Sequence, residues 1–170
     1  TARALGQALG IKVIAVPTLD GYCYKPEAKE SEAVTCGIIN ARRGQVYGIV
    51  EGYMPGGPYM LTDVLEVLKN DVLPSGKTVQ FFGDGIDAYD SKIQEELSEA
   101  GYALDKHYFY AEESFRHQDA ASVGLLAWEK AEAGEVLSVA ELLPDYMRKA
   151  EAQQKLEAGQ LPICKGPKQE

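Results

Sequence analysis

The spacing of apolar residues predicts a helix at the start of the chain. Ala2, Leu5 and Leu9 repeat at helical spacing and share one face, and Gly10 suits the C-terminal position that requires a positive φ. No capping residue precedes this helix. We therefore expect that the chain has been cut and that a segment before Thr1 is missing.

Shorter apolar runs predict the strands. Residues 33–40 and 45–51 alternate between apolar and polar side chains, and Gly44 suits the short loop between them, so an antiparallel hairpin is predicted. Prolines and glycines fill residues 53–59, which predicts a turn-rich break. Further buried strands are predicted at residues 12–16, 78–82 and 104–109.

Helical patterns recur between these strands. One helix is predicted from Thr62, its expected N-cap, to the Pro-Ser-Gly sequence at residues 74–76. Others are predicted over residues 88–100 and 119–133. Because a hairpin and several single buried strands occur with helices between them, the pattern predicts an α/β fold in which helices flank one mixed sheet.

Composition and charge narrow the functional classes. The 170 residues are 45% hydrophobic and 25% charged, as in ordinary soluble domains. A net charge of −9 repels phosphate backbones, which disfavours general nucleic-acid binding. The apolar runs are shorter than the ~18–20 residues that span a bilayer, and no signal leader is visible. We therefore predict a soluble, cytoplasmic protein without a membrane partner.

The sequence predicts no metal or cofactor site. Its 3 cysteines are widely spaced and form no CxxC pair, and its 2 histidines have no ligand spacing. No nucleophile elbow and no HExxH sequence is present. Ser114 and Ser122 are predicted to be caps or packing residues, and Trp128 and the tyrosines to be core or core-edge groups.

Two turns could hold an anion, although a simpler role is predicted for each. Gly83, Asp84 and Gly85 link a strand to a helix, where Asp84 is expected to cap the turn or the helix start. Arg42 and Arg43 lie at the hairpin tip, where they could grip a phosphate or a carboxylate or remain solvated.

Several stretches, in order, carry a resemblance to a known family. Residues 4–19, ALGQALGIKVIAVPTL, are similar to a helix and strand ending in V-S-T-L, and residues 40–47, NARRGQVY, resemble D-A-R-x-G-E-V-Y. Residues 143–148, LPDYMR, match P-x-Y-x-R, and the glycine turn at residues 83–85 has a counterpart. These patterns resemble the TsaB/YeaZ family of bacterial tRNA threonylcarbamoyladenosine biosynthesis proteins. The departures from the family pattern are Pro17, Asn40 and Gln45.

The resemblance implies an actin-like (ASKHA, ribonuclease H-like) lobe with a mixed sheet flanked by helices. Residues 1–18 would be the remnant of an N-terminal lobe, residues 19–148 the C-terminal lobe, and residues 149–170 a mobile tail. Older labels describe the family as glycoprotease-like or M22 peptidase-like. The absence of paired histidines at ligand spacing gives a zinc-peptidase reading no support here.

The resemblance also implies a role in tRNA modification. Such proteins are non-catalytic subunits that support TsaD, which transfers threonylcarbamoyl to adenosine 37 of tRNA. The ATPase TsaE joins the assembly, so TsaD and TsaE would bind the ATP or ADP. This chain would contact tRNA only indirectly, through these partners. In such proteins the helices of the first lobe form both the homodimer contact and the TsaD contact. We expect both contacts to be impaired in a chain that lacks most of that lobe.

Other classes stay open at this point. An actin-like phosphotransferase, or another nucleotide-binding enzyme lobe, would need phosphate loops upstream of Thr1. A plain interaction domain would show an exposed apolar patch on the first helix. Catalytic, cofactor and metal residues are not assigned. The candidate partner-binding or structural residues are Ala2, Leu5, Leu9, Arg42, Arg43, Pro144, Tyr146 and Arg148.

Overall fold

The computed structural model describes residues 1–147, apart from the side chains of Lys29 and Glu30. The predicted tail, residues 149–170, and the candidate residue Arg148 lie outside the described residues. No helix in the described part of the chain has the length and apolar character needed to cross a membrane.

A five-stranded mixed sheet forms the centre of the fold. Its strands are β1 (Val34–Asn40), β2 (Gln45–Val50), β3 (Met54–Met60), β4 (Val79–Phe82) and β5 (Tyr108–Tyr110). They lie in the order β3-β2-β1-β4-β5. The β3, β2 and β1 strands are antiparallel neighbours, whereas β1, β4 and β5 run parallel. The predicted hairpin, which is β1 and β2, is confirmed.

Helices flank this sheet, as predicted. They are α1 (Ala2–Leu9), α2 (Pro26–Glu30), α3 (Leu61–Val67), α4 (Gly85–Glu99) and α5 (Ala120–Glu132). A short 3₁₀ helix, Asp20–Tyr24, precedes α2, and a short π-helical segment, Leu68–Val72, continues α3. Gly10 ends α1 with a φ of 63°, which confirms the predicted left-handed cap.

The predicted strand at residues 12–16 is wrong. Only Val13 pairs, in a single antiparallel bridge with Leu137. The two N–H···O bonds of that bridge measure 3.1 and 2.8 Å. Ile14 and Val16 instead line a surface groove, so the apolar run reflects packing in an extended segment and not a place in the sheet.

The predicted break at residues 53–59 is also wrong, because residues 54–60 form the edge strand β3. Proline lacks the N–H that an inner strand must donate, but an edge strand has one side without a neighbour. Pro55 and Pro58 are therefore compatible with pairing to β2, where a register shift occurs between Gly48 and Val50.

Thr62 is not the cap of α3, since the helix begins two residues earlier than predicted. Met60 is the N-cap, and its N–H donates to Asp63 Oδ2 at 3.1 Å. The helix starts at Leu61 because this side chain is fully buried beneath the sheet with Val64 and Leu65.

Side chains alternate between two cores on opposite faces of the sheet. Cys36, Ile38 and Phe81 belong to the larger core, which α3 and α4 cover. The smaller core contains Tyr22 and Phe82. Gly37 lies between Cys36 and Ile38 in β1. It allows the Tyr22 ring to approach the sheet, because a Cβ there would lie 2.5 Å from Tyr22 Cδ2.

Candidate functional site

A surface groove brings several of the candidate residues together. It has a volume of about 880 Å³ and lies between the extended segment after α1 and residues 142–147. Ala2, Pro144 and Tyr146 all line it, together with Pro17 and Tyr47. The groove is mostly apolar, with Asp145 and Lys130 as its charged lining residues, so it suits an apolar segment of another molecule.

The helix α1 rests on the domain through its smallest residue. Gly6 is its buried position, and a Cβ there would lie 2.9 Å from Val13 Cγ1 and 3.0 Å from Val139 Cγ2. Arg3 Nε donates to the carbonyl of Val139 at 3.1 Å. The contacts of α1 with the domain are therefore close but few.

The apolar face of α1 points away from these contacts. Leu5 is 56% exposed and Leu9 is 67% exposed, and Ile11, which follows the helix, is also exposed. A helix with one apolar face normally buries that face. An exposed row of large apolar side chains beside an apolar groove marks an interaction surface. We call this row, Leu5, Leu9 and Ile11, the α1 face.

Arg42 and Arg43 occupy a different place, at the tip of the β1–β2 hairpin. Both side chains are exposed, and both residues have positive φ angles, 65° and 55°. Asn40 Oδ1 accepts the N–H of Arg42 at 2.8 Å and the hydroxyl of Tyr89 at 3.0 Å. That hydroxyl also accepts the N–H of Gly44 at 3.2 Å, so the tip is anchored to α4. Neither arginine lines the groove.

The glycine turn after β4 also serves the hairpin. Asp84 occupies the predicted N-cap position of α4, but its side chain makes no capping bond to the helix. Its Oδ1 instead accepts the N–H of Asn40 at 2.9 Å. Gly83 has a φ of 98°, and a Cβ there would lie 2.1 Å from the carbonyl oxygen of Ile38. The Asp84 carboxylate places negative charge beside the first turn of α4, which disfavours an anion there.

A second cleft, of about 700 Å³, lies between the 3₁₀ helix at Asp20–Tyr24, the β2–β3 turn and the end of α5. Burial raises the pKa of Asp20, against the opposing effect of Lys130, and a hydrogen bond with Glu129 raises the pKa of Tyr24 to about 12. Burial also raises the pKa of the Cys23 thiol to about 12, so it is a poor nucleophile near neutral pH.

The side chains of this cleft do not form a recognisable catalytic set. Lys130 is paired with Glu135 at 2.6 Å. Among residues 1–147, no group of three or more His, Cys, Asp and Glu side chains is placed to hold a metal ion. The sequence did not predict this cleft, because its walls come from elements distant in the chain.

An ion pair between a buried lysine and a half-exposed aspartate joins α5 to the segment before α2, and no local sequence pattern predicted it. Lys25 is buried, and its Nζ donates to Asp119 Oδ2 at 2.6 Å and to the carbonyl of His117 at 2.8 Å. Asp119 is the N-cap of α5, and it accepts the N–H of Ser122 at 2.8 Å. Ser122 is buried, so its predicted packing role is confirmed, whereas the cap of α5 is Asp119.

Comparison with known proteins places the chain among its relatives. Over 162 residues it is 30% identical to the tRNA threonylcarbamoyladenosine biosynthesis protein TsaB of Bacillus subtilis (strain 168). The chain is a TsaB/YeaZ-like protein. The match covers 91% of this chain and 63% of the Bacillus protein, so the chain spans less than two thirds of that relative's length. No protein-family model matches the sequence.

A solved structure confirms the fold of this TsaB/YeaZ-like chain. It is described as the crystal structure of an uncharacterized protein with similarity to peptidase YEAZ from Pseudomonas aeruginosa. The TM-score is 0.57 at 18% sequence identity, over 86% of this chain and 63% of that one. The predicted actin-like lobe, a mixed sheet flanked by helices, is therefore confirmed.

Proposed function

We propose that this chain is a non-catalytic accessory subunit in the formation of threonylcarbamoyladenosine at position 37 of tRNA, and that it binds and supports TsaD. The similarity to Bacillus TsaB, whose name places that protein in this biosynthesis, supports the pathway. The single observation that carries the binding role is the exposed α1 face beside an apolar groove.

The size of this surface sets the strength expected of the contact. Fully burying a leucine side chain is worth ~1.5–3 kcal/mol. Since Leu5 is 56% exposed and Leu9 is 67% exposed, each could still contribute about 1–2 kcal/mol on binding. Together the two leucines supply about 2–4 kcal/mol. A micromolar complex needs ~8 kcal/mol after the entropy lost on association, so the groove beside the α1 face has to supply most of the binding free energy.

The charge of the chain favours a protein partner over direct RNA binding. At −9, the chain repels a phosphate backbone, and its exposed arginines at the hairpin tip lie outside the groove. In this proposal tRNA, TsaE and ATP or ADP are held by the partner subunits. A homodimer through the same α1 face would compete with TsaD, because both would cover the same side chains.

Isothermal titration with TsaD from the same source tests this proposal. We expect measurable binding by the wild-type chain and at least about tenfold weaker binding by the double variant Leu5→Ser/Leu9→Ser, which loses about 2–4 kcal/mol of apolar burial. The matched control is Leu125→Ser, which makes the same exchange at an exposed helical position of α5. Absence of binding by the wild-type chain, or equal binding by all three proteins, would contradict the proposal.

A reconstituted transfer reaction tests the non-catalytic part. TsaD with TsaE and this chain should modify tRNA, whereas the chain with tRNA and the activated threonylcarbamoyl donor should not. Any transfer by the chain alone would show that it carries catalytic groups of its own.

A further inference from the structure

The second cleft carries an excess of negative charge. Its described lining residues include one cation, Lys130, and four carboxylates, which are Asp20, Glu51, Glu129 and Glu135. Lys130 pairs with Glu135 at 2.6 Å, so the other carboxylates are in excess. Each of these comes from a different element: Asp20 from the 3₁₀ helix, Glu51 from the β2–β3 turn and Glu129 from α5. Three separate elements therefore bring negative charge to one cleft.

The same carboxylates act together on two neutral groups inside the cleft. Burial, and then the charges of Glu51 and Asp20, raise the pKa of the Cys23 thiol to about 12. A hydrogen bond with Glu129 raises the pKa of Tyr24 to about 12, and the charge of Asp20 adds to this effect. The three carboxylates thus share one electrostatic field, which opposes further negative charge and favours a bound cation.

These carboxylates are spread around the cleft and do not converge on one point. Within the described part of the chain, no three His, Cys, Asp or Glu side chains are placed to hold a metal ion. A divalent metal ion needs several oxygen ligands at about 2.0–2.6 Å, so it does not fit this arrangement. An extended ligand with several separate positive charges does fit, because each carboxylate can meet a different charge.

The floor between the carboxylates is apolar. Ile49 and Val50 of β2 and Leu126 of α5 line it, and all three are buried. The volume of about 700 Å³ falls within the range of small-molecule pockets, which is ~300–1,000 Å³. A ligand seated here gains from apolar stems between its charged groups, because methylenes placed on this floor leave water.

The helix α5 supplies one wall of the cleft. Leu126, Glu129, Lys130 and Ala133 line it, at the spacing that places residues on one face of a helix. Trp128 lies outside the cleft and is 68% exposed, so the prediction that Trp128 is a core or core-edge residue is wrong. The wall therefore changes from a buried apolar base to a charged rim along a single helical face.

We propose that the second cleft binds a linear aliphatic polyamine, in which short methylene chains separate several ammonium groups. The methylenes lie on the apolar floor, and the ammonium groups meet the carboxylates of Glu51 and Glu129 at the rim. A single lysine side chain of a partner brings one ammonium group and would leave most of the excess charge uncompensated. The cleft shares Lys130 with the groove but is separate from the α1 face, so this proposal can hold or fail whether or not the chain binds TsaD.

Titration of spermidine into the isotope-labelled chain at physiological salt, followed by amide chemical shifts, tests the proposal. We expect the shifts to saturate with one dissociation constant, on the order of 0.1–1 mM, because the ligand is small and its charge pairs are partly exposed. The largest shifts should fall in residues 20–24, 51–56 and 129–135, which line the cleft. Small shifts that are spread over the acidic surface and do not saturate would overturn the proposal.

Variants separate a seated ligand from general attraction to an acidic protein. Glu129→Gln should weaken spermidine binding about two- to fivefold. Glu99→Gln removes the same charge from an exposed position at the end of α4 and should bind like the wild type. Ala133→Phe narrows the cleft without changing its charge and should weaken binding at least about fivefold. Equal losses in the two glutamine variants, or unchanged binding in Ala133→Phe, would overturn the proposal.

Competing ligands test the chemical class. Magnesium chloride at matched ionic strength should not displace spermidine, and an oligolysine peptide should bind more weakly than spermidine. Displacement by magnesium would show that the carboxylates hold a compact ion. Tighter binding of the peptide, with the same shifts in the cleft, would make a basic protein segment the ligand. Either result would overturn the polyamine proposal.

Discussion

The buried ammonium of Lys25 should be one of the larger polar contributions to stability in this fold. It joins the segment before α2 to the N-terminal end of α5 through Asp119 Oδ2 at 2.6 Å and the carbonyl of His117 at 2.8 Å. In Lys25→Met the apolar stem is kept and both hydrogen bonds are lost. The substitution therefore isolates the charged group.

The expected cost follows from the surroundings of the two partners. Hydrogen bonds to charged groups contribute ~1.5–3 kcal/mol each, and a carbonyl left without its donor costs about 1 kcal/mol more. Two effects offset this loss, because the side chain of Asp119 is 42% exposed and can be hydrated, and because the lysine no longer has to be desolvated. We expect Lys25→Met to lower the free energy of unfolding by about 2 kcal/mol.

Urea unfolding followed by far-UV circular dichroism measures this change. With an m-value of ~2 kcal/mol/M, the transition midpoint should fall by about 1 M. Lys69→Met is the matched control, since Lys69 pairs with Glu96 at 2.7 Å where both side chains are partly exposed. Such a pair is worth ~0–1 kcal/mol. If Lys25→Met shifts the midpoint no further than Lys69→Met, the reasoning about burial is refuted.

Other perturbations test the same physical account. The lysine hydrogen bond, with the N–H of Ser122, lowers the pKa of Asp119 from 3.8 to about 2. The stability that this shift adds is complete above about pH 4 and is lost as the pH falls through 2, so the difference between wild type and the methionine variant should shrink in urea titrations below pH 4. Gly83→Ala should lower Tm by about 5–10 °C, because φ is 98° and the Cβ would meet a carbonyl oxygen at 2.1 Å. Gly134→Ala, with a φ of 79° and open space, should lower Tm by no more than ~4 °C, and equal losses in differential scanning calorimetry would contradict this assignment. Burial raises the pKa of both described thiols, to about 12 for Cys23, so iodoacetamide at pH 8 should leave Cys23 and Cys36 unlabelled until urea is added, as read by peptide mass spectrometry. Rapid labelling of either in the native chain would show that it is accessible.

Local signals were enough to predict much of the fold. The alternation in residues 33–40 and 45–51, with a glycine between them, predicted the hairpin that became β1 and β2. Where an element depended on its neighbours, local patterns misled. The prolines of the β3 segment predict a turn, and a strand is possible there only because β3 lies at the edge of the sheet.

The candidate site could be predicted only in part. The apolar stripe Ala2, Leu5 and Leu9 was visible in the sequence, but only the structure shows that its leucines are exposed. The groove could not be predicted, because it forms where residues 14–19 meet residues 142–147, which are far apart in the chain. Trp128 was misplaced because large aromatic residues are usually buried, and the sequence alone does not show which face of α5 meets the sheet.

Amide hydrogen exchange with and without TsaD tests the central claim most directly. The helix α1 has few contacts with the domain, so its amides should exchange rapidly in the free chain, and a partner that covers the α1 face should slow them. We predict at least tenfold slower exchange in residues 5–9 when TsaD is present, with slower exchange also in residues 142–147 along the groove and no change in α4, which does not line it. Unchanged exchange in α1, with protection elsewhere on the domain, would contradict the proposed binding surface.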